Sequence, residues 1–170
     1  VTNHALGFAT NNAATQMVLD TNGRLGIGTT SPINPLHVVL DSQDIATFES
    51  TSASNSGAQV AFKHSSTSPA DNDTIANLTF DGRDDSNAAT TYAQLRVLAT
   101  DVSNNSESGA FQFFTRNTGS FGERMRIDAD GRMLIGTTTE GFSGADNLTI
   151  EDSGHCGITI RSGATSDAQI

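Results

Sequence analysis

Met17-Val18-Leu19-Asp20-Thr21-Asn22-Gly23-Arg24-Leu25-Gly26-Ile27-Gly28-Thr29-Thr30 returns 108 positions later, without a gap, as Met125-Arg126-Ile127-Asp128-Ala129-Asp130-Gly131-Arg132-Met133-Leu134-Ile135-Gly136-Thr137-Thr138. Met, Asp, Gly, Arg, Ile, Gly, Thr and Thr are identical in the two copies. A repeat of this kind predicts a modular, elongated protein. Each copy reads as two short strands around a tight turn. Asn22-Gly23 and Asp130-Gly131 supply the positive φ that a hairpin needs, and Asp20 or Asp128 can close an Asx-turn onto the backbone. The run Asp128-Ala129-Asp130-Gly131 is not an EF-hand loop. Such a loop needs Gly at its sixth position and Glu at its twelfth, whereas here Gly is fourth and Thr139 is twelfth.

The similarity extends outward. Leu6-Gly7-Phe8-Ala9-Thr10-Asn11-Asn12 aligns with Phe111-Gln112-Phe113-Phe114-Thr115-Arg116-Asn117 once a few residues are inserted before Met125. Ala46-Thr47-Phe48-Glu49-Ser50 corresponds to Ile158-Thr159-Ile160-Arg161-Ser162, and Ala58-Gln59-Val60 to Ala168-Gln169-Ile170. The period is about 110 residues, so the chain holds about one and a half modules. Residues 1–35 read as the end of a preceding module with its hairpin and neck. Residues 36–143 read as one complete β module ending in hairpin and neck, and residues 144–170 as the truncated start of the next.

Hydrophobic residues make up 35% of the 170-residue chain, with no Trp and one Tyr, which is thin for an ordinary globular core. Such a chain alone would struggle to offset its conformational entropy. Disorder would suit the low hydrophobicity and the net charge of −10. The apolar residues are patterned, however, and a core completed by other chains explains them better. Period-two segments occur at Ile45 to Ser50, Val60 to Lys63, Ile75 to Phe80, Leu95 to Thr100 and Phe111 to Arg116. Polar stretches separate them at 50–57, 65–73, 82–90 and 103–109. No window carries a helical stripe, so the expected fold is all-β.

With nine basic residues and no basic cluster, the chain offers no footprint for nucleic acid. No stretch is long and apolar enough to span a membrane as a helix. An acidic, Ser/Thr-rich surface suits an extracellular or virion particle.

Chemistry-bearing patterns are few. Cys156 is the single cysteine and is expected to be a partly buried strand residue; His155 beside it would point to the opposite face. His4, His37, His64 and His155 are scattered, without metal-ligand spacing. Asp71, Asp73, Asp81, Asp84 and Asp85 cluster in sequence, but solvated loop acids account for them better than a pair facing across a glycosidase cleft. Asn72, Asn77, Asn104 and Asn147 open Asn-x-Ser/Thr triplets of the kind that arise by chance in a polar chain. There is no nucleophile elbow, phosphate loop or dinucleotide fingerprint. No catalytic, cofactor-binding or metal-binding residue is expected, and the chain is not expected to be an enzyme.

Gly26-Ile27-Gly28-Thr29-Thr30-Ser31-Pro32, followed by Leu36-His37-Val38, resembles the repeats of bacteriophage tail-fibre and related virion proteins. Glu123-Arg124-Met125-Arg126-Ile127-Asp128 through Thr138 resembles the companion segment of those repeats. The second copy departs from the pattern where Leu134 replaces the first Gly and Thr139-Glu140 replaces Ser-Pro. The resemblance implies an intertwined homotrimeric β fibre, often followed by a self-cleaving intramolecular chaperone that would lie beyond Ile170. It further implies a virion or extracellular location and a role as spacer with host-surface attachment. The partners would then be the chain itself and a host surface glycan or outer-membrane receptor, with no nucleic acid and no membrane insertion. Gly26 and Gly28 are expected to let three chains approach at narrow necks. The alternative is a bacterial extracellular adhesin or filament subunit built from similar β repeats.

Overall fold

The repeated turn forms twice with the same hydrogen bonds. The N–H of Gly23 donates to the Asp20 carbonyl (3.1 Å) and that of Gly131 to the Asp128 carbonyl (3.1 Å), with φ of 77° and 79° at the glycines. This is a three-residue hairpin loop closed by a left-handed glycine. In the computed structural model, which describes residues 4–10, 16–41, 44–53 and 55–159, all regular structure is β. Asn11, Asn12, Ile160, Arg161, Ser162, Ala168, Gln169 and Ile170, named in the sequence correspondences, lie outside the described residues.

The chain divides into two compact units, residues 1–60 and 61–170. The first contains β1 (Leu6–Phe8), β2 (Met17–Leu19), β3 (Leu25–Ile27) and β4 (Leu36–Val38), side by side in that order. The second contains β5 (Asp73–Arg83), β6 (Ala89–Asp101), β7 (Ser108–Asn117), β8 (Ser120–Ile127), β9 (Met133–Ile135) and β10 (Leu148–Ile150), also adjacent in chain order. Most pairs are antiparallel, but the last strand of each sheet runs parallel to its neighbour, β4 to β3 and β10 to β9. The return loop between the parallel strands is residues 28–35 in the first unit and the longer 136–147 in the second.

Strand register reproduces the sequence repeat position by position. Phe8 pairs with Met17 and Met17 with Ile27, as Phe113 pairs with Met125 and Met125 with Ile135. Leu6, Leu19 and Leu25 are matched in the same way by Phe111, Ile127 and Met133. The parallel strand adds Leu36 and Val38 to the first sheet, and Leu148 and Ile150 to the second.

The exchange of Gly26 for Leu134 goes with a change on the facing strand. Val18 lies opposite Gly26, and a Cβ on Gly26 would overlap the Thr29 carbonyl and sit 3.0 Å from Val18 Cγ1. In the second copy Arg126 replaces Val18 and Leu134 fills the site, at 1% exposure. One bulky apolar side chain per pair is retained, contributed by the other strand. Truncating Leu134 to Ala is expected to cost about 2–5 kcal/mol in thermal or urea unfolding.

These details give the glycines a reason within the single chain and correct one expectation. Gly26 and Gly28 stand where the chain's own backbone comes close. A Cβ on Gly26 would overlap the Thr29 carbonyl, and one on Gly28 the Val39 carbonyl, both in the same chain. The alternating segments around residues 45–50 and 60–63 are not strands, because no described strand lies beside them to complete a ladder.

Candidate functional site: two exposed apolar sheet faces

Directly paired residues point to the same face of a sheet. In the first unit the rows Leu6–Leu19–Leu25–Leu36 and Phe8–Met17–Ile27–Val38 therefore make one face wholly apolar. The row between them, Gly7–Val18–Gly26–His37, faces the other way, and Val18 is buried there. Leu6, Phe8, Leu19 and Leu36 on the apolar face remain exposed.

The second unit repeats this arrangement on a wider sheet. Phe111–Ile127–Met133–Leu148 and Phe113–Met125–Ile135–Ile150 form the corresponding rows. Val97 and Ala76 extend the first row, Leu95 and Leu78 the second. Phe62 bears on this face, where it lines a cavity of about 320 Å³ with Ile75, Leu78, Leu95, Val97 and Phe111. Leu78, Phe111, Ile127, Met133 and Leu148 are still exposed.

The opposite face of the second sheet carries polar and aromatic contacts made within the chain, although Gln112 Oε1 and Arg96 Nε are buried there without a hydrogen-bond partner. Glu123 receives Arg126 Nε at 2.5 Å and Gln112 Nε2 at 2.8 Å, and Gln112 is buried. The Arg96 guanidinium lies 4.5 Å from the centre of the Phe114 ring, which stacks on Phe121 at 5.8 Å. Arg116 covers the outer side of Phe121 at 5.6 Å. One face thus carries its own network of charge pairs and stacked rings, and the other carries bare hydrocarbon.

Eight positions of the apolar face correspond between the copies: Leu6/Phe111, Phe8/Phe113, Met17/Met125, Leu19/Ile127, Leu25/Met133, Ile27/Ile135, Leu36/Leu148 and Val38/Ile150. All sixteen residues are apolar. The opposite row pairs Gly7 with Gln112, Val18 with Arg126, Gly26 with Leu134 and His37 with Thr149, and keeps no common character. Apolar character is held in common on the face left open and lost on the face the chain packs for itself. Continuous apolar surfaces of this kind are uncommon on single soluble chains.

The turns beside these faces are fixed by charge. Asp20 Oδ1 accepts the N–H groups of Asn22 and Arg24, and Asp20 Oδ2 takes the Arg24 guanidinium at 2.7 Å. Asp128 treats Asp130 and Arg132 in the same way, and Arg132 also meets Asp130, Glu140 and Asp146. The Glu140 and Asp146 contacts tie the longer return loop to the turn in the second copy, while the role common to both arginines is to close the turn on its aspartate. Nothing in the sequence beyond its repetition signalled that role.

The Arg24 N–H holds the Asp20 carboxyl below its ordinary value of 3.8. Desolvation pushes Asp128 upward, but the N–H and guanidinium of Arg132 outweigh it and the net shift is also downward. Asp84 and Asp101 are lowered by hydrogen bonds from Ser86 and Ser103. All four folded-state values lie below the unfolded one. Their stabilisation is therefore complete above about pH 4 and is lost as pH falls through the folded values. A melting temperature that drops below pH 4, with a shallower drop in a double Asp20→Asn, Asp128→Asn variant, is the expected result.

The remaining chemistry-bearing residues stay apart from the faces or in solvent. Asp71 caps the N–H of Val102, Asp73 that of Ala70, and Asp81 accepts the Thr91 hydroxyl. His4, His64 and His155 are exposed, and His37 is half-buried on β4. No group of three or more His, Cys, Asp or Glu among the described residues is placed to hold a metal ion. Cys156 is exposed and outside any strand, its thiol 3.1 Å from the Ile150 carbonyl, which corrects the expectation of a partly buried strand cysteine.

No family model and no curated protein matches the chain. Among solved structures, the carboxy-terminal domain of the bacteriophage T5 L-shaped tail fibre is similar, with a TM-score of 0.49 and 11% identity over 90% of this chain and 68% of that one.

Proposed function

We propose that the chain is a structural segment of a homotrimeric bacteriophage tail fibre, where it acts as a spacer and supports attachment to the host surface. The observation that carries the assembly is the pair of open apolar faces, apolar at all eight corresponding positions in both copies. Closing such faces against further copies removes hydrocarbon from water at about 25 cal/mol per Å² and supplies the core that the single chain lacks. The number three, and the placement in a virion, rest on the resemblance of residues 26–32 and 123–138 to fibre repeats. Three identical sheets around one axis form a closed cyclic arrangement, with every apolar face directed inward.

Sedimentation equilibrium tests the assembly directly. A mass of three times the 17.7 kDa chain is expected, and a folded single chain would overturn the reading. Antibodies raised against the chain are expected to decorate the tails of virions. Decoration of filaments on bacterial cells would instead establish the adhesin or filament alternative.

A further inference from the structure

Asn22-Gly23 is the single Asn-Gly pair in the chain; every other asparagine is followed by a residue that carries a side chain. The pair sits at the exposed tip of the first hairpin, where nothing lies within 4 Å of the position a Gly23 Cβ would take. The Gly23 amide nitrogen therefore has an open approach to the side-chain carbonyl carbon of Asn22. The second hairpin has Asp130-Gly131 at the corresponding place, so a carboxylate already stands there. That carboxylate is used: Asp130 Oδ2 takes Arg132 Nη2 at 2.7 Å. Among the bonds that close the first turn, Asn22 contributes its backbone N–H, and Arg24 Nη2 goes to Asp20 Oδ2 at 2.7 Å.

We propose that Asn22 is a self-modification site, converted to aspartate by attack of its own backbone. In the first step the Gly23 nitrogen bonds to Cγ of Asn22. The side-chain NH2 leaves with the Gly23 proton as ammonia, and a five-membered imide remains. In the second step water opens the imide. Breaking its bond to Cγ gives aspartate on an unchanged backbone; breaking its bond to the main-chain carbonyl carbon gives isoaspartate, with the chain routed through Cβ and Cγ. The turn governs the first step. The Gly23 N–H donates to the Asp20 carbonyl at 3.1 Å, and Asp20 Oδ1 accepts the N–H groups of Asn22 and Arg24 at 2.8 Å each. The attacking nitrogen is released when the turn opens, so the stability of the turn sets the rate. The two products differ in consequence. Aspartate at this position places Arg24 between two carboxylates, as Arg132 stands between Asp128 and Asp130. Isoaspartate lengthens the backbone of a three-residue loop whose closure depends on its length. The inference concerns one chain and does not depend on the trimeric reading.

The test follows each asparagine separately. The intact protein is held at mildly alkaline pH, with a parallel sample in urea. Both are digested with trypsin and read by mass spectrometry, with fragment ions placing each change on a residue. In the folded sample Asn22 is expected to convert from amide to acid ahead of every other asparagine, yielding an aspartyl and an isoaspartyl form of the peptide that ends at Arg24. In urea its conversion is expected to run at least about tenfold faster. Retention of the Asn22 amide in the folded sample, or its conversion behind other asparagines, overturns the proposal. Equal rates in the two samples overturn the control by the turn. An Asn22→Asp variant is expected to melt at a temperature no lower than the parent protein. A lower one would show that the first turn does not accept the carboxylate that the second carries.

Discussion

Replacing Gly28 or Gly136 by Ala is expected to cost about 3–5 kcal/mol, whereas the same change at Gly23 or Gly131 is expected to cost only about 1–2 kcal/mol. All four glycines have left-handed φ, between 69° and 79°, so the conformational penalty is common to them. The surroundings differ. A Cβ on Gly23 or Gly131 meets nothing within 4 Å, so the loop tip tolerates it apart from the strain. One on Gly28 would overlap the Val39 carbonyl, and one on Gly136 the Glu151 carbonyl. The backbone cannot yield cheaply there. The N–H groups of Val39 and Glu151 are bonded to the Ile27 and Ile135 carbonyls at 2.9 Å, holding the parallel strand in place. Thermal unfolding of the four single variants checks the contrast. Equal losses at all four sites would show that steric crowding at the joint adds nothing.

Phe111→Asp is expected to convert the assembly to single chains. Phe111 is half open in the single chain, so a carboxylate is tolerated there. In a three-chain assembly the same carboxylate is buried three times over. Each copy then forfeits about 1.5–3 kcal/mol of aromatic burial and adds the desolvation of an unpaired charge. Thr79→Asp on the same sheet is the control, since Thr79 is exposed and shares its face with Gln94. Sedimentation is expected to give one 17.7 kDa chain for Phe111→Asp and the full assembly for Thr79→Asp. An intact assembly for Phe111→Asp would place the interface elsewhere.

The hairpins were legible because their determinants are local: Asp, Gly and Arg at fixed offsets, flanked by apolar residues, act within five positions. The long strands β5 to β7 were legible for the same reason, through uninterrupted alternation. The Asn117–Ser120 turn was missed although Thr118 and Gly119 both take positive φ (45° and 82°), because Thr is an unusual residue there. The parallel strands β4 and β10 escaped because each is a three-residue run separated from its partner by a loop of different length in the two copies. The apolar faces were only half legible. Alternation shows that some face is apolar, but which residues align across strands depends on register, and bulges at Phe113/Phe114 and Thr74/Ala76 shift it. The segments around 45–49 and 58–63 read as strands because they carry the pattern of one, but pattern does not provide a neighbour.

The parallel final strand has a consequence for the direction of travel. β1 and β3 point the same way, and β4 follows β3; β7, β9 and β10 share a heading in the same manner. A polypeptide that enters the motif along its first strand leaves it along its last without having turned round. An antiparallel ending would have reversed it at every copy. Heading is therefore preserved through each motif taken by itself.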